Sequence, residues 1–141
     1  GRLEVIPGTV ETVLDVGHNP QAANVLAEWL RRHPRRTRAV FSALADKDIA
    51  GIVEPLLPRV THWHLAGLDS ATSRGLDATR LRARIGDLIG DDRCSLHDDP
   101  PAALAAAHAH ASPGERVLAF GSFHVVSALG PVLNRYAAPA N

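Results

Sequence analysis

The chain has 141 residues, with 15 basic and 15 acidic side chains, a formal net charge of zero and one cysteine. This length suits one domain with a single core, and the balanced charge, with no block of like charges, argues against nucleic acid or an anionic membrane as a partner. No segment approaches the roughly 20 apolar residues of a membrane span, and Cys94 has no second cysteine to pair with, so we expect a cytoplasmic protein. We also expect a monomer.

Short runs rich in Val, Leu and Phe alternate with longer segments of helical period, which is typical of a mostly parallel sheet covered on both faces. The turn sequence Pro7-Gly8-Thr9 separates the first two strands and predicts an antiparallel hairpin. The predicted strands are 3–6, 12–16, 38–44, 62–68, 95–97 and 116–120, and the predicted helices are 20–33, 49–57, 77–89, 99–110 and 125–136.

Three polar loops, 15–19, 46–48 and 121–124, follow predicted strands. Because parallel strands end at one edge of a sheet, where such folds bind their ligands, we expect the three loops to converge. Asn19 suits an N-cap and Pro20 suits the first helical position, so the amides of that first turn point toward the same edge. The chain has no GxxxxGKS loop and no GxGxxG after a strand, and therefore lacks the usual device for activating a nucleoside triphosphate.

Each polar residue also has a purely structural interpretation. Asp15 can cap a turn, Asn19 and Asp48 can cap helices, and Ser122 can cap the last helix. From residue type alone, both the structural and the ligand-binding interpretations stay open.

The histidines raise the question of a metal site. His62 and His64 alternate to the same face of a strand, but no cysteine or well-placed carboxylate joins them. His108 and His110 point away from each other on a helix. We expect no metal ligands in this chain.

Four sequence blocks occur in order: Gly1-Arg2-Leu3-Glu4, Asp15-Val16-Gly17-His18-Asn19-Pro20, Ala45-Asp46-Lys47-Asp48 and Gly121-Ser122-Phe123. Together they resemble, nearly end to end, the C-terminal domain of the bacterial bifunctional dihydrofolate synthases/folylpolyglutamate synthases, which are members of the Mur ligase family. The resemblance implies an α/β fold: a Rossmann-like three-layer sandwich whose six-stranded, mostly parallel sheet starts with an antiparallel hairpin. It also implies that residues 1–141 form one domain, cut from a longer polypeptide.

By this resemblance, the whole enzyme is an ATP-dependent amide ligase. Its N-terminal domain, absent from this chain, carries the phosphate loop, the Mg2+ ligands and most of the pterin site. ATP converts the carboxylate of dihydropteroate or a reduced folate into an acyl phosphate, which the amino group of L-glutamate attacks. The C-terminal domain closes over the nucleotide, and we expect it to be inactive alone.

The resemblance also implies roles for individual residues. Arg2, Asp15 and His18 are expected to contact the nucleotide, while His18, Asn19 and Ser122 are expected to hold the glutamate. The loop Asp46-Lys47-Asp48 is expected to act in domain closure, although an exposed salt bridge explains Lys47 equally well.

Two positions depart from the pattern of the resemblance. Gly17 stands where many relatives have alanine, and His124 stands where relatives often have tyrosine, so His124 is given no role.

Two alternative functions stay open at this point. One is a separate Rossmann-like module that binds a nucleotide or small anion through Asp15 and the helix that Pro20 begins. The other is a Mur ligase domain that acts on a cell-wall precursor. A Gly-Lys-Ser or Gly-Lys-Thr phosphate loop encoded upstream would exclude the first of these.

Overall fold

The computed structural model describes residues 3–138. Within this range the strands are β1 Leu3–Ile6, β2 Glu11–Asp15, β3 Thr37–Phe41, β4 His62–Ala66, β5 Cys94–His97 and β6 Arg116–Phe120. They form one sheet in the order β1-β2-β6-β3-β4-β5, in which β1 and β2 are antiparallel and every other neighbouring pair is parallel. The six-stranded, mostly parallel sheet with an N-terminal hairpin is therefore confirmed.

The helices begin at side-chain caps. The α-helices are α1 Pro20–Arg32, α2 Ile49–Val53, α3 Ala78–Ile89, α4 Pro100–His110 and α5 Phe123–Leu129. The first four are capped by a side-chain oxygen that accepts a hydrogen bond from the backbone amide three residues further on; these caps are Asn19, Asp48, Asp77 and Asp99. Each such cap satisfies one amide that the helix itself leaves unpaired, and contributes about 1 kcal/mol.

Two predicted helices were too long. The helix predicted over 49–57 ends at Val53 and continues as the 3-10 segment Glu54–Arg59, and the one predicted over 125–136 begins at Phe123 and gives way to the 3-10 segment Gly130–Arg135. Three prolines, Pro55, Pro58 and Pro131, lie in these two segments. Proline has no amide hydrogen for the α-helical ladder, so the tighter turn replaces it.

Two predicted strands were also too long. β3 stops at Phe41 rather than at residue 44, and β4 stops at Ala66 rather than at residue 68. Beyond these points the backbone bonds instead to the segment 74–76: Ala45 N donates to Arg74 O, Leu68 N to Leu76 O, and Leu76 N to Ala43 O. The strand predicted over 12–16 lies one residue earlier, at Glu11–Asp15.

Helices cover both faces of the sheet. On one face, Phe41, Trp63 and Phe120 pack together beneath α1, α2 and α3. On the other face, Val40 and Ala119 belong to the apolar cluster that includes α4 and α5. This is the Rossmann-like three-layer sandwich expected from the sequence. No helix in the described range combines the length and the apolar character needed to cross a bilayer.

A buried arginine ties the amino-terminal edge of the sheet together. Arg116, the first residue of β6, is 1% exposed, and its Nε donates to Glu11 Oε2 at 2.7 Å. Its Nη2 donates to His33 O at 2.7 Å, and the guanidinium lies 4.9 Å from the ring centroid of Trp29. These contacts join β2 and β6 to the end of α1.

Candidate functional site

Three strand ends lie side by side at the carboxyl edge of the sheet. β6 lies between β2 and β3, with Leu14 beside Ala119 and Phe41 beside Phe120. The loops 15–19 and 121–124 therefore emerge next to one another, as predicted, whereas the loop 46–48 begins only after residues 42–45, two of which bond to the segment 74–76.

Asp15 is the last residue of β2 and is 8% exposed. Its Oδ1 accepts a hydrogen bond from the Gly17 amide at 2.6 Å, so the turn-capping interpretation holds and one carboxylate oxygen is fixed at the edge. A Cβ at Gly17 would lie 2.7 Å from Ala22 Cβ and 2.8 Å from Asp15 Oδ1. Glycine at this position therefore leaves room for the tight turn between the strand and α1.

His18 and Asn19 lie at the start of α1. Asn19 Oδ1 accepts from the Ala22 amide at 2.8 Å, which confirms the predicted N-cap, and Pro20 is the first helical residue. The His18 ring is exposed, with its Nδ1 3.3 Å from Val16 O. The amino end of α1, a helix of 13 residues, therefore lies beside Asp15, and such an end attracts negative charge.

Ser122 follows β6 through a turn that requires glycine. Gly121 has φ +112°, and a Cβ there would collide with the carbonyl oxygen of Ser42. Ser122 is 2% exposed, and its Oγ accepts from the His124 amide at 3.0 Å, which confirms the helix cap. Sequence reasoning missed Ser42: its hydroxyl is buried without a hydrogen-bond partner in the described part of the chain.

Two arginines from other segments, Arg74 and Arg84, bond to the loop that follows β3. Asp46 Oδ2 accepts from Arg74 Nη2 at 2.6 Å, and this hydrogen bond lowers the pKa of the Asp46 carboxyl. Arg84 Nη2 donates to Ala45 O at 2.9 Å, and Asp48 caps α2. Among the described residues, the ion pair of this loop is formed by Asp46 and not by Lys47.

A groove of about 590 Å³ runs between β1 and α1. Its polar end includes Asp15 and Asn19, and its apolar walls include Leu3, Val25 and Trp29. The groove thus joins two of the predicted site residues, whereas Ser122 and the loop 46–48 lie outside its lining. Arg2 lies outside the described residues.

Two large apolar side chains stand exposed near this edge. Val25, on the second turn of α1, is 73% exposed, and Phe123, the first residue of α5, is 67% exposed. They lie on helices that cover opposite faces of the sheet, and single exposed apolar side chains of this kind are common on protein surfaces.

Four histidine rings lie close together, those of His62, His64, His97 and His110. His64 Nε2 lies 3.2 Å from Arg38 Nη1, and His64 Nδ1 lies 3.1 Å from His97 Nε2. Burial, with the charges of His62, His97 and Arg38, lowers the pKa of His64 to about 3. Among residues 3–138, no group of three or more His, Cys, Asp or Glu side chains could hold a metal ion.

A family model described as Mur ligase, glutamate ligase domain, matches residues 1–123, which is most of the chain. This chain belongs to the Mur ligase family. The Mur ligase domain is 33% identical over 136 residues to the dihydrofolate synthase/folylpolyglutamate synthase of Escherichia coli, covering 95% of this chain and 30% of that protein. It is also 33% identical over 121 residues to the Haemophilus influenzae protein of the same name, covering 82% of this chain and 27% of that protein.

Solved structures share the fold. A bifunctional folylpolyglutamate synthase/dihydrofolate synthase from Yersinia pestis, complexed with AMPPNP and Mn ion, has a TM-score of 0.83 at 33% identity, covering 95% of this chain and 31% of that chain. The Mycobacterium tuberculosis folylpolyglutamate synthase complexed with ADP has a TM-score of 0.85 at 26% identity, covering 98% of this chain and 33% of that chain. A third structure, a bifunctional folylpolyglutamate synthase/dihydrofolate synthase with Mn, AMPPNP and L-glutamate bound, has a TM-score of 0.81 at 32% identity. The match covers 95% of this chain and 31% of that chain. The Mur ligase domain thus spans about 30% of the length of its relatives.

Proposed function

We propose that this Mur ligase domain is the C-terminal part of an ATP-dependent ligase that joins L-glutamate to dihydropteroate, to a folylpolyglutamate, or to both. The observation that carries the proposal is the convergence of Asp15, Asn19 and Ser122 at adjacent strand ends, in a chain of this family. It is supported by relatives whose solved structures hold AMPPNP with Mn, and in one case L-glutamate as well.

The proposed chemistry makes domain closure necessary. The γ-phosphoryl group of ATP moves to the acceptor carboxylate, which gives ADP and an acyl phosphate. The glutamate amine then attacks the acyl carbon, and phosphate leaves as the amide forms. Because an acyl phosphate also reacts with water, the site has to exclude water and align the amine. We infer that the exposed Val25 and Phe123 contact the N-terminal domain of the same polypeptide in that closed state.

The nucleotide is proposed to meet Arg2, Asp15 and His18. A carboxylate accepts hydrogen bonds from ribose hydroxyls, and a guanidinium suits a phosphate oxygen or a ribose hydroxyl. The groove beside Asp15 agrees with this proposal, because its apolar walls at Leu3 and Trp29 suit a flat base.

The glutamate is proposed to meet His18, Asn19 and Ser122. The amino end of α1 attracts a carboxylate, and the Asn19 amide nitrogen can donate while its oxygen caps the helix. Ser122 Oγ accepts from the His124 amide, and a hydroxyl in that position has one hydrogen to donate.

The proposal also covers domain closure, the position of the Mg2+ ligands and the cellular location of the enzyme. Asp46, Lys47 and Asp48 form the loop that faces the incoming domain. The described residues do not fit Mg2+, so we place its ligands on the N-terminal domain. A monomeric, cytoplasmic enzyme stays a prediction.

The acceptor is identified by ADP release from the parent polypeptide with ATP, Mg2+ and L-glutamate. Three acceptors are compared: dihydropteroate, a reduced folate and a UDP-linked cell-wall precursor. Glutamate-dependent release with either pterin supports the proposal and shows which activities are present. Release with the cell-wall precursor alone would overturn the folate assignment.

Kinetic variants of the same polypeptide test the residue roles. Asp15→Asn should raise the KM for ATP about tenfold, the value of one charged hydrogen bond, while the exposed Asp87→Asn should leave it unchanged. Ser122→Ala should raise the KM for glutamate, whereas Ser127→Ala, on the exposed side of the same helix, should not. Because Ser122→Ala also removes a helix cap, thermal unfolding is measured alongside.

A further inference from the structure

A second groove lies at the opposite edge of the sheet, where β3 and β4 begin. It has a volume of about 450 Å³ and is lined between the end of α1 and the 3-10 segment Glu54–Arg59. Four arginines line it: Arg35, Arg36, Arg59 and Arg93. None of its lining residues is acidic, in a chain that has as many acidic as basic side chains.

Two of these guanidinium groups have no carboxylate partner in the part of the chain that the structure describes. Arg59 makes no ion pair or side-chain hydrogen bond within residues 3–138. Among the described residues, Arg93 donates only to backbone carbonyls, those of Val60 at 2.7 Å and Thr61 at 3.4 Å. These bonds hold the Arg93 side chain in place but leave its charge unneutralised.

The other two arginines each pair with a carboxylate that lies outside the groove lining. Arg36 Nε lies 3.2 Å from Glu115 Oε2, and Arg35 Nη2 lies 3.9 Å from Glu11 Oε1. The Arg36 side chain is largely exposed, and exposed pairs of this kind contribute little and exchange readily for another anion. The groove therefore concentrates positive charge that the described part of the chain only partly balances.

We propose that this groove binds a small polyanion with two or more phosphate or carboxylate groups. Guanidinium groups bind such oxygens through paired hydrogen bonds, and several of them in one concave site favour multiply charged ligands over single anions. The zero net charge of the chain argues against a long nucleic acid as the ligand. This site does not depend on the proposed ligase function, because the five-residue strands separate it from the Asp15 edge by roughly 17 Å.

Isothermal titration calorimetry of the chain at low ionic strength tests the proposal. Tripolyphosphate serves as the phosphate probe, citrate as the carboxylate probe and acetate as the monovalent control. We expect tripolyphosphate or citrate to bind with a Kd below about 1 mM, to weaken as salt is added, and acetate not to bind. The tighter of the two probes identifies the preferred anion. Failure of both to bind would overturn the proposal.

Variants that remove the same charge at different places distinguish binding in this groove from an effect of the net charge of the chain. Arg59→Gln should weaken binding of the tighter probe about tenfold, whereas Arg82→Gln, which removes the same charge from the exposed face of α3, should leave it unchanged. Arg93→Gln should also weaken binding, and its thermal unfolding is recorded because the variant loses two carbonyl contacts. Equal losses in Arg59→Gln and Arg82→Gln would show a net-charge effect and would overturn the proposed site.

Discussion

Replacing Gly121 with alanine tests the geometry of the turn that delivers Ser122 to the carboxyl edge. Gly121 has φ +112°, a conformation that costs a residue with a side chain about 1–3 kcal/mol. The new Cβ would also collide with Ser42 O and lie 2.7 Å from Phe41 Cε1, atoms that belong to a buried strand end and cannot easily withdraw. Overpacking of this kind adds about 1–3 kcal/mol, so we expect a total loss near 4 kcal/mol in the free energy of unfolding.

Two other glycines provide matched controls for urea unfolding. Gly114 has φ +88°, but a Cβ added there would meet no other atom within 4 Å, so Gly114→Ala should lose only about 1–2 kcal/mol. Gly86 lies inside α3, where alanine has the higher helix propensity, so Gly86→Ala should gain up to about 1 kcal/mol. If Gly121→Ala lost no more than Gly114→Ala, the close approach of the β3 and β6 loops would be refuted.

Three further stability predictions concern buried polar groups. Ser42→Ala should be neutral or stabilising by about 1 kcal/mol in urea unfolding, because it removes a buried hydroxyl without a partner in the described range; a loss above that size would show a hidden hydrogen bond. Arg116→Met should cost about 3 kcal/mol because it removes the short ion pair of Glu11 and leaves only the longer one to Arg35, and adding Glu11→Gln should recover part of that loss; no recovery in the double variant would contradict the pairing. Since the folded-state pKa of His64 is about 3 and its ordinary value is 6.5, the unfolded chain binds more protons between these values, so stability should fall as pH drops from 6.5 to 3. His64→Gln, which can still accept from Arg38, should reduce that fall by roughly 3 kcal/mol, and unchanged pH dependence would assign it to other groups.

Much of the fold could be predicted because local signals were strong. Asn19, Asp48 and Ser122 each suited a cap, and each caps the helix that follows it. The Pro7-Gly8-Thr9 turn likewise indicated the antiparallel hairpin that β1 and β2 form. The predicted ends of elements were wrong, because apolar content alone did not show that β4 stops at Ala66 and that Leu68 bonds instead to Leu76.

The strand order and the buried charges could not be predicted in the same way. β6 lies between β2 and β3, and no local sequence pattern determines this order because it depends on contacts between distant segments. The order nevertheless brings Asp15 beside the loop that contains Ser122. Arg116 is buried against Glu11, which lies 105 residues away in the chain, so no local pattern could show its burial. Ser42 carried no signal, since it fell inside the predicted strand 38–44 and residue type alone does not mark a hydroxyl as unpaired.

The most direct test of the central claim is hydrogen exchange of the parent polypeptide with and without AMPPNP and L-glutamate. We expect peptides covering 14–22 and 119–126 to become protected when both ligands are present, because the loops after β2 and β6 close over them. The segment 111–115, which precedes β6 at the opposite edge, serves as the internal control and should not change. Protection confined to the N-terminal domain, with 14–22 and 119–126 unaffected, would contradict the assignment of this edge to the ligand site.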